Sequence, residues 1–287
     1  MSVRGVSVDH TNDNKVYWIR HAKKEIFEAE CDEDPQKLFL GTGEDPRFLD
    51  VGQNAKGETI AVWTQSGDET TRGLQYYNFI TGGLPPLFSH PNLWGVEIVE
   101  DTNKILFAKQ GEGRDTDNIL IYDFDATPNV TAVTNEQDGV KSPRGVDENG
   151  VYAFWDEANG KVRAKKLDGT GSVIELANAF TDFEESPFGL EVRPVSSSLI
   201  SLYIAVKEGS LIARYDWDFV SSSASLFGVI YTSADGLQDP FDLDFKGCCG
   251  ETVIPELPPG FLSLFGLLMS GFILGLRKMI YRIEAIT

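Results

Sequence analysis

Three features of the 287-residue sequence predict an all-β chain built of repeated four-stranded sheets. A short apolar segment, often opened by proline, returns every 43 to 53 residues. A second run rich in Val, Ile, Tyr, Phe and Trp follows the first five of these segments. Turns rich in Gly, Asn and Asp separate the runs, and such punctuation between period-two apolar stretches marks hairpin-connected strands.

The recurring segment begins at Val3, Pro46, Leu93, Pro143, Pro187 and Pro240. The second runs are Val16–Trp18, Ile60–Trp63, Ile105–Ala108, Val151–Trp155 and Leu202–Ala205. Third runs that alternate follow, such as Ile119–Tyr122 and Leu211–Tyr215, and weaker fourth runs close most units, as in Ser172–Leu176. One sheet of this kind cannot bury both faces alone, so the units must stack. Radial stacking gives a β-propeller with the first strand of each unit along a central channel. A β-sandwich is the competing all-β arrangement, but it leaves the return of the same strand order unexplained. Five units are complete, and Phe241–Phe245 repeats only the inner strand. A ring normally completes its last blade with strands from the other terminus. Six blades are therefore expected, with strands supplied from upstream of Val3. Residues 1–20 hold no continuous apolar core of a secretory signal, and the chain reads as strand from its start.

The unit Pro143-Arg144-Gly145-Val146-Asp147, then Val151–Asp156, Val162–Ala164 and Leu167-Asp168-Gly169 resembles a blade of the six-bladed YWTD/TolB-like propellers. Val8-Asp9, Asn14–Trp18 and Ile26-Phe27 are similar. The resemblance runs over residues 3–245 and implies a binding platform, with hydrolases and lyases as a minority of the class.

Residues 1–250 are assigned to the propeller, 251–259 to a linker and 260–287 to a transmembrane helix with a basic tail. Leu257–Leu276 contains no charged residue. As a helix it would span about 30 Å, the thickness of a bilayer's hydrocarbon. Arg277 and Lys278 follow, which places the tail in the cytoplasm and the propeller outside. Pro255, Glu256 and Leu257, then the apolar span, then Arg277 and Lys278 also resemble a PEP-CTERM sorting tail. That resemblance implies a membrane sorting protease as a partner. Either reading gives an envelope protein, held by residues 260–276 or released outside after sorting.

Charge narrows the functional classes. Forty-four acidic against 25 basic residues give −19. The last eleven residues carry +2, so the rest carries −21. Nucleic-acid binding needs clustered Lys and Arg and is excluded as an expectation. The partner expected is a protein or carbohydrate. Cys31, Cys248 and Cys249 form no C-x-x-C; a bridge from Cys31 to one of the adjacent pair would leave a free thiol. The G-x-S-x-G, P-loop and H-E-x-x-H patterns are absent, and no catalytic residue is assigned. His10, His21 and His90 share no spacing. Acids recur on the inner strands at Asp9, Asp50, Glu97, Asp147, Glu191 and Asp244. In a ring they would form a carboxylate crown at one channel mouth, suited to Ca²⁺ or a cationic ligand. Solvated turn acids are the alternative. With a bound metal, such a crown would suit a lactonase-like hydrolase or lyase.

Overall fold

The computed structural model describes residues 3–8, 15–20, 24–30, 35–40, 45–67, 71–83, 85–99, 102–112, 116–219, 221, 223–235 and 240. These form five antiparallel sheets of four strands, each in simple sequence order. Blade one contains β1 (Val3–Val8), β2 (Lys15–Arg20), β3 (Glu25–Glu30) and β4 (Gln36–Leu40). Blade two contains β5 (Pro46–Gln53), β6 (Thr59–Gln65), β7 (Gly73–Asn78) and β8 (Gly82–Gly83). Blade three contains β9 (Leu93–Val99), β10 (Lys104–Lys109), β11 (Asn118–Asp123) and β12 (Val130–Ala132). Blade four contains β13 (Pro143–Glu148), β14 (Tyr152–Glu157), β15 (Lys161–Lys166) and β16 (Ile174–Asn178). A short helix, α1 (Ala179–Phe183), leads to blade five, with β17 (Pro187–Pro194), β18 (Leu199–Val206), β19 (Leu211–Asp218) and β20 (Ser223–Tyr231).

The all-β, four-stranded-blade expectation therefore holds, with one correction. The described residues form five blades where six were expected. The sixth rested on one inner-strand segment, with its partner strands expected from upstream of Val3. Phe241–Phe245 itself lies outside the described residues, as does the expected transmembrane helix at 260–287. Among the described residues no helix is long and apolar enough to cross a membrane.

The inner strands pack in series: β1 on β5, β5 on β9, β9 on β13 and β13 on β17. β17 and β1, the two ends of the series, do not pack on each other to a comparable extent. Each adjacent pair of blades encloses one apolar cluster. Ile19, Ile26, Leu49, Val51 and Trp63 fill the seam between blades one and two. Ile60, Val62, Val96, Ile105 and Phe107 fill the next. Leu106, Ile119, Val146 and Trp155 lie between blades three and four. Phe154, Val162, Leu190, Ile204 and Trp217 lie between four and five. Strand alternation makes this possible, because successive residues point to opposite faces and each blade thus feeds two seams.

Backbone spacing along the channel is close. A Cβ on Gly95 would sit 2.3 Å from the Arg144 carbonyl oxygen, and one on Gly145 would sit 2.9 Å from the Leu190 amide. Any side chain at those two positions would push neighbouring inner strands apart. All five inner strands also carry a register irregularity near their start. Such bulges turn the chain locally and re-aim side chains, here where the strands enter the channel.

Candidate functional site at the channel mouth

The recurrent inner-strand position occupies the seams. Its residues are Ser7 in blade one, Asp50, Glu97, Asp147 and Glu191. Asp50 is 6% and Asp147 is 5% exposed. Asp50 Oδ2 accepts from the Ile98 amide of blade three at 2.6 Å. Its Oδ1 accepts from its neighbour Val51 at 2.7 Å and from the Ser7 hydroxyl at 2.9 Å. Asp147 Oδ2 accepts from the Val192 amide of blade five. Ser7 Oγ accepts from the Val51 amide at 2.8 Å. One rule covers the three contacts: the side chain at this position takes the amide one residue past the equivalent position in the following blade. These bonds, charge-assisted at Asp50 and Asp147, satisfy amides that burial would otherwise leave costly.

The expected crown residues are therefore placed as follows. Asp50 and Asp147 face the next inner strand. Glu97 and Glu191 stand at the equivalent positions, half-buried. Asp9 and Asp244 lie outside the described residues, as do Pro255, Glu256, Leu257, Arg277 and Lys278, all three cysteines, His10 and His21. Register puts Ser7, two residues before Asp9, at the repeat position. The signal was readable: Gly5-Val6-Ser7-Val8 matches Gly95-Val96-Glu97-Ile98 and Gly189-Leu190-Glu191-Val192. Among the described residues no group of three or more His, Cys, Asp or Glu could hold a metal ion.

A second constellation, which the sequence reading did not single out, sits where the inner strands begin. The residue after the opening Pro or Leu is Arg47, Trp94, Arg144 and Phe188 in blades two to five. The Arg47 guanidinium lies 4.3 Å from the Trp94 ring centroid, and its Nη1 donates to the Leu93 carbonyl at 3.3 Å. Arg144 repeats this one seam further on: 3.8 Å from the Phe188 ring, with Nη1 donating to the Pro187 carbonyl at 3.1 Å. The Lys207 ammonium stands 5.3 Å from the Phe188 ring. Trp94 and Phe188 meet edge-on at 6.4 Å. The result is a rim of alternating cations and aromatic faces on an otherwise acidic protein. The Pro-Arg pairs at 46–47 and 143–144 were its only sequence signal, and a single pair of that kind has no distinctive chemistry.

Asp156 lies behind this rim. It is fully buried, and neither carboxyl oxygen has a partner of good hydrogen-bond geometry among the described residues. Burial pushes its pKa up to about 7, against the pull of Arg144 and the Gly145 amide and with a further push from Glu157. Burial also lowers the Arg144 pKa, opposed by the charges of Asp156 and Glu208. At the equivalent places of the second strands stand Ile19, Thr64, Ala108 and Ala205. A carboxyl is thus peculiar to blade four. Perturbed groups next to a charged partner gather at functional sites, and structural pairs also produce them.

No family model and no curated sequence matches the chain. Solved structures do match in fold. One is a nidogen/laminin complex, with TM-score 0.63, 16% identity, and coverage of 81% of this chain and 81% of that one. Another is streptogramin B lyase, with TM-score 0.59, 13% identity and coverage of 90% and 84%. A third is a putative TolB from Agrobacterium tumefaciens, with TM-score 0.59, 12% identity and coverage of 90% and 91%. At such identities these similarities support the propeller class alone.

Proposed function

We propose that the protein is an exported, envelope-anchored propeller that binds a protein partner at its channel mouth. The rim of Arg47, Trp94, Arg144 and Phe188 carries this reading. Trp and Arg dominate protein-binding hot spots, because they combine large apolar area with directed donors. A surface carboxylate or aromatic group of a partner would complement such a rim. A propeller solved in a nidogen/laminin complex is consistent with protein binding. In this reading residues 260–276 span the membrane and Arg277 and Lys278 remain cytoplasmic, unless a protease acting near Pro255-Glu256-Leu257 releases the propeller. The metal-dependent hydrolase or lyase reading needs free inner-strand carboxylates. Asp50 and Asp147 instead hold backbone amides of the next blade.

Photo-crosslinking of the full chain in its native cells tests the platform. A crosslinked protein partner should form with the natural rim and with Phe227→Ser, and be lost with Trp94→Ala and Arg144→Ala. Ca²⁺-dependent turnover of simple lactones by the purified chain, abolished by Asp147→Asn, would overturn it in favour of the enzyme. Intact mass and cell fractionation test the location. A cytosolic chain ending at Thr287 would end the export reading.

A further inference from the structure

Blades two and four place an arginine in the same way and differ in what stands behind it. In each, the guanidinium lies over the aromatic ring that opens the next blade, 4.3 Å from Trp94 for Arg47 and 3.8 Å from Phe188 for Arg144. Behind Arg47 the second strand carries Thr64, and behind Arg144 it carries Asp156. The Asp156 carboxyl packs against the bulge that bears Arg144: a Cβ on Gly145 would meet its Oδ2 at 2.7 Å. The carboxyl is fully buried, and neither oxygen has a hydrogen-bond partner of good geometry among the described residues. Arg144 Nη1 donates instead to the Pro187 carbonyl at 3.1 Å. That pose suits a neutral carboxyl. An ionised one, buried without a donor, is far more costly than the loss of a cation–π contact and one bond to a neutral carbonyl.

We infer that Arg144 is a proton-controlled arm of the rim: it lies on Phe188 while the Asp156 carboxyl is neutral and turns inward to pair with it once the proton is lost, so that the protonated form holds a partner carboxylate more tightly. This rests on the rim as the binding site. The surroundings leave Arg144 as the responding group. β14 packs on β13, β15 and β17. From β13 comes Arg144, whereas β15 sets Val162 opposite Asp156 and turns Lys161 and Arg163 to the other face. Residues 187–190 of β17 include no titratable side chain. Glu157 adjoins on the same strand and opposes ionisation, and the Glu208 charge acts on Arg144 from beyond β18. Lys207, 5.3 Å from the Phe188 ring, keeps a cation at that ring in both forms. Burial places the loss of the Asp156 proton at about pH 7 with Arg144 in its outward pose. Inward pairing favours the ionised form, so the transition lies at or below that value.

Labelling of arginines by phenylglyoxal on the full chain, read by peptide mass, tests this without a partner. Arg47 is the internal reference, because Thr64 cannot ionise and the ratio of Arg144 to Arg47 cancels the reagent's own pH dependence. The ratio should fall at least about threefold between pH 5 and 8, and stay flat in Asp156→Asn. Asp156→Thr, which installs the residue of blade two, is a second neutral variant in case Asp156→Asn does not fold. A flat ratio in the natural chain would overturn the inference, as would an equal fall in the neutral variants. Either failure leaves the binding platform standing, since no partner takes part. Photo-crosslinking from the rim supplies the functional arm. Partner capture by the natural chain should weaken from pH 5 to 8 and stay level in Asp156→Asn. Level capture by the natural chain would overturn the regulation, and no capture at either pH would remove the platform with it.

Discussion

The four seams between blades and the two end faces are built from the same repeat: Val6 and Val8 on the first face, and Ala205 and Ile212 on the last, are as buried as their seam counterparts, and the difference lies in the large aromatic side chain of the second strand. Antiparallel register pairs Val6 with Trp18, Leu49 with Trp63, Val96 with Phe107, Val146 with Trp155 and Leu190 with Ile204. The second member of each pair faces the preceding blade. Trp63 is 7% exposed, and Phe107, Trp155 and Ile204 are fully buried. Trp18, whose blade has no predecessor among the described residues, stays half-buried. It stacks on Phe27 at 5.9 Å within its own sheet, and Arg20 stands 4.8 Å over that Phe27 ring. The exposed apolar surface of blade five lies instead at its outer rim. β20 is a nine-residue outermost strand without a charge, and it exposes Leu226, Phe227, Val229 and Ile230. For the large aromatic position, burial follows the junction, whereas the small inner-strand residues are buried at every blade. A blade alone offers a residue one sheet of neighbours, and a seam adds a second sheet on top of it.

The largest test of that difference is a pair of truncations. Trp155→Ala removes a side chain packed between two sheets and should cost roughly 3–5 kcal/mol. Trp18→Ala removes one packed mainly within its own blade and should cost about 1–2 kcal/mol by the smaller area it hides. Chemical denaturation would measure both. Equal losses would break the distinction between seam and end face.

Asp156 sharpens the comparison, because it puts a carboxyl into the seam between blades four and five. Its pKa is raised from 3.8 to about 7. Between those values the folded chain keeps a proton that the unfolded chain has lost. Stability from this group is therefore highest at low pH, falls as pH climbs through that window, and stays low above about 7. Asp156→Asn, which cannot ionise, should gain on the natural protein as pH rises from 4 to 8. The gain should be on the order of 2–4 kcal/mol. Melting curves of both proteins across that range would show it, and parallel curves would mean that the carboxyl is solvated.

The smallest effect belongs to the amide contacts. Asp147→Leu leaves the Val192 amide unpaired in a buried seam and should cost roughly 1–3 kcal/mol. Ser7→Ala, at the first junction, removes a neutral acceptor and should cost about 1 kcal/mol. A reversal of that order would indicate that the charge of Asp147 is costly where it sits.

Most of the architecture was legible beforehand. The starts at Pro46, Leu93, Pro143 and Pro187 became the starts of β5, β9, β13 and β17 without a shift. Pattern reading succeeds here because every blade repeats the same local problem: period-two apolar runs between tight turns. The site was much less legible. Spacing grouped Asp50, Glu97, Asp147 and Glu191 correctly as one structural position. It gave no direction for their side chains, and a crown and a set of seam contacts have identical spacing. Asp9 was included because it is an acid near a strand end, whereas the register selects Ser7. The rim of Arg47, Trp94, Arg144 and Phe188 was invisible because its members share a place and not a residue type.

Composition and periodicity thus determined the all-β class, the repeat length, the blade starts and the acidic surface, all of which follow from short-range pattern and counting. Tertiary structure alone decided which face of each blade is covered, where each carboxylate points and why Asp156 is poised near neutrality. Those depend on which neighbour the next sheet brings, and a sequence fixes the order of its sheets well before it shows how closely they approach.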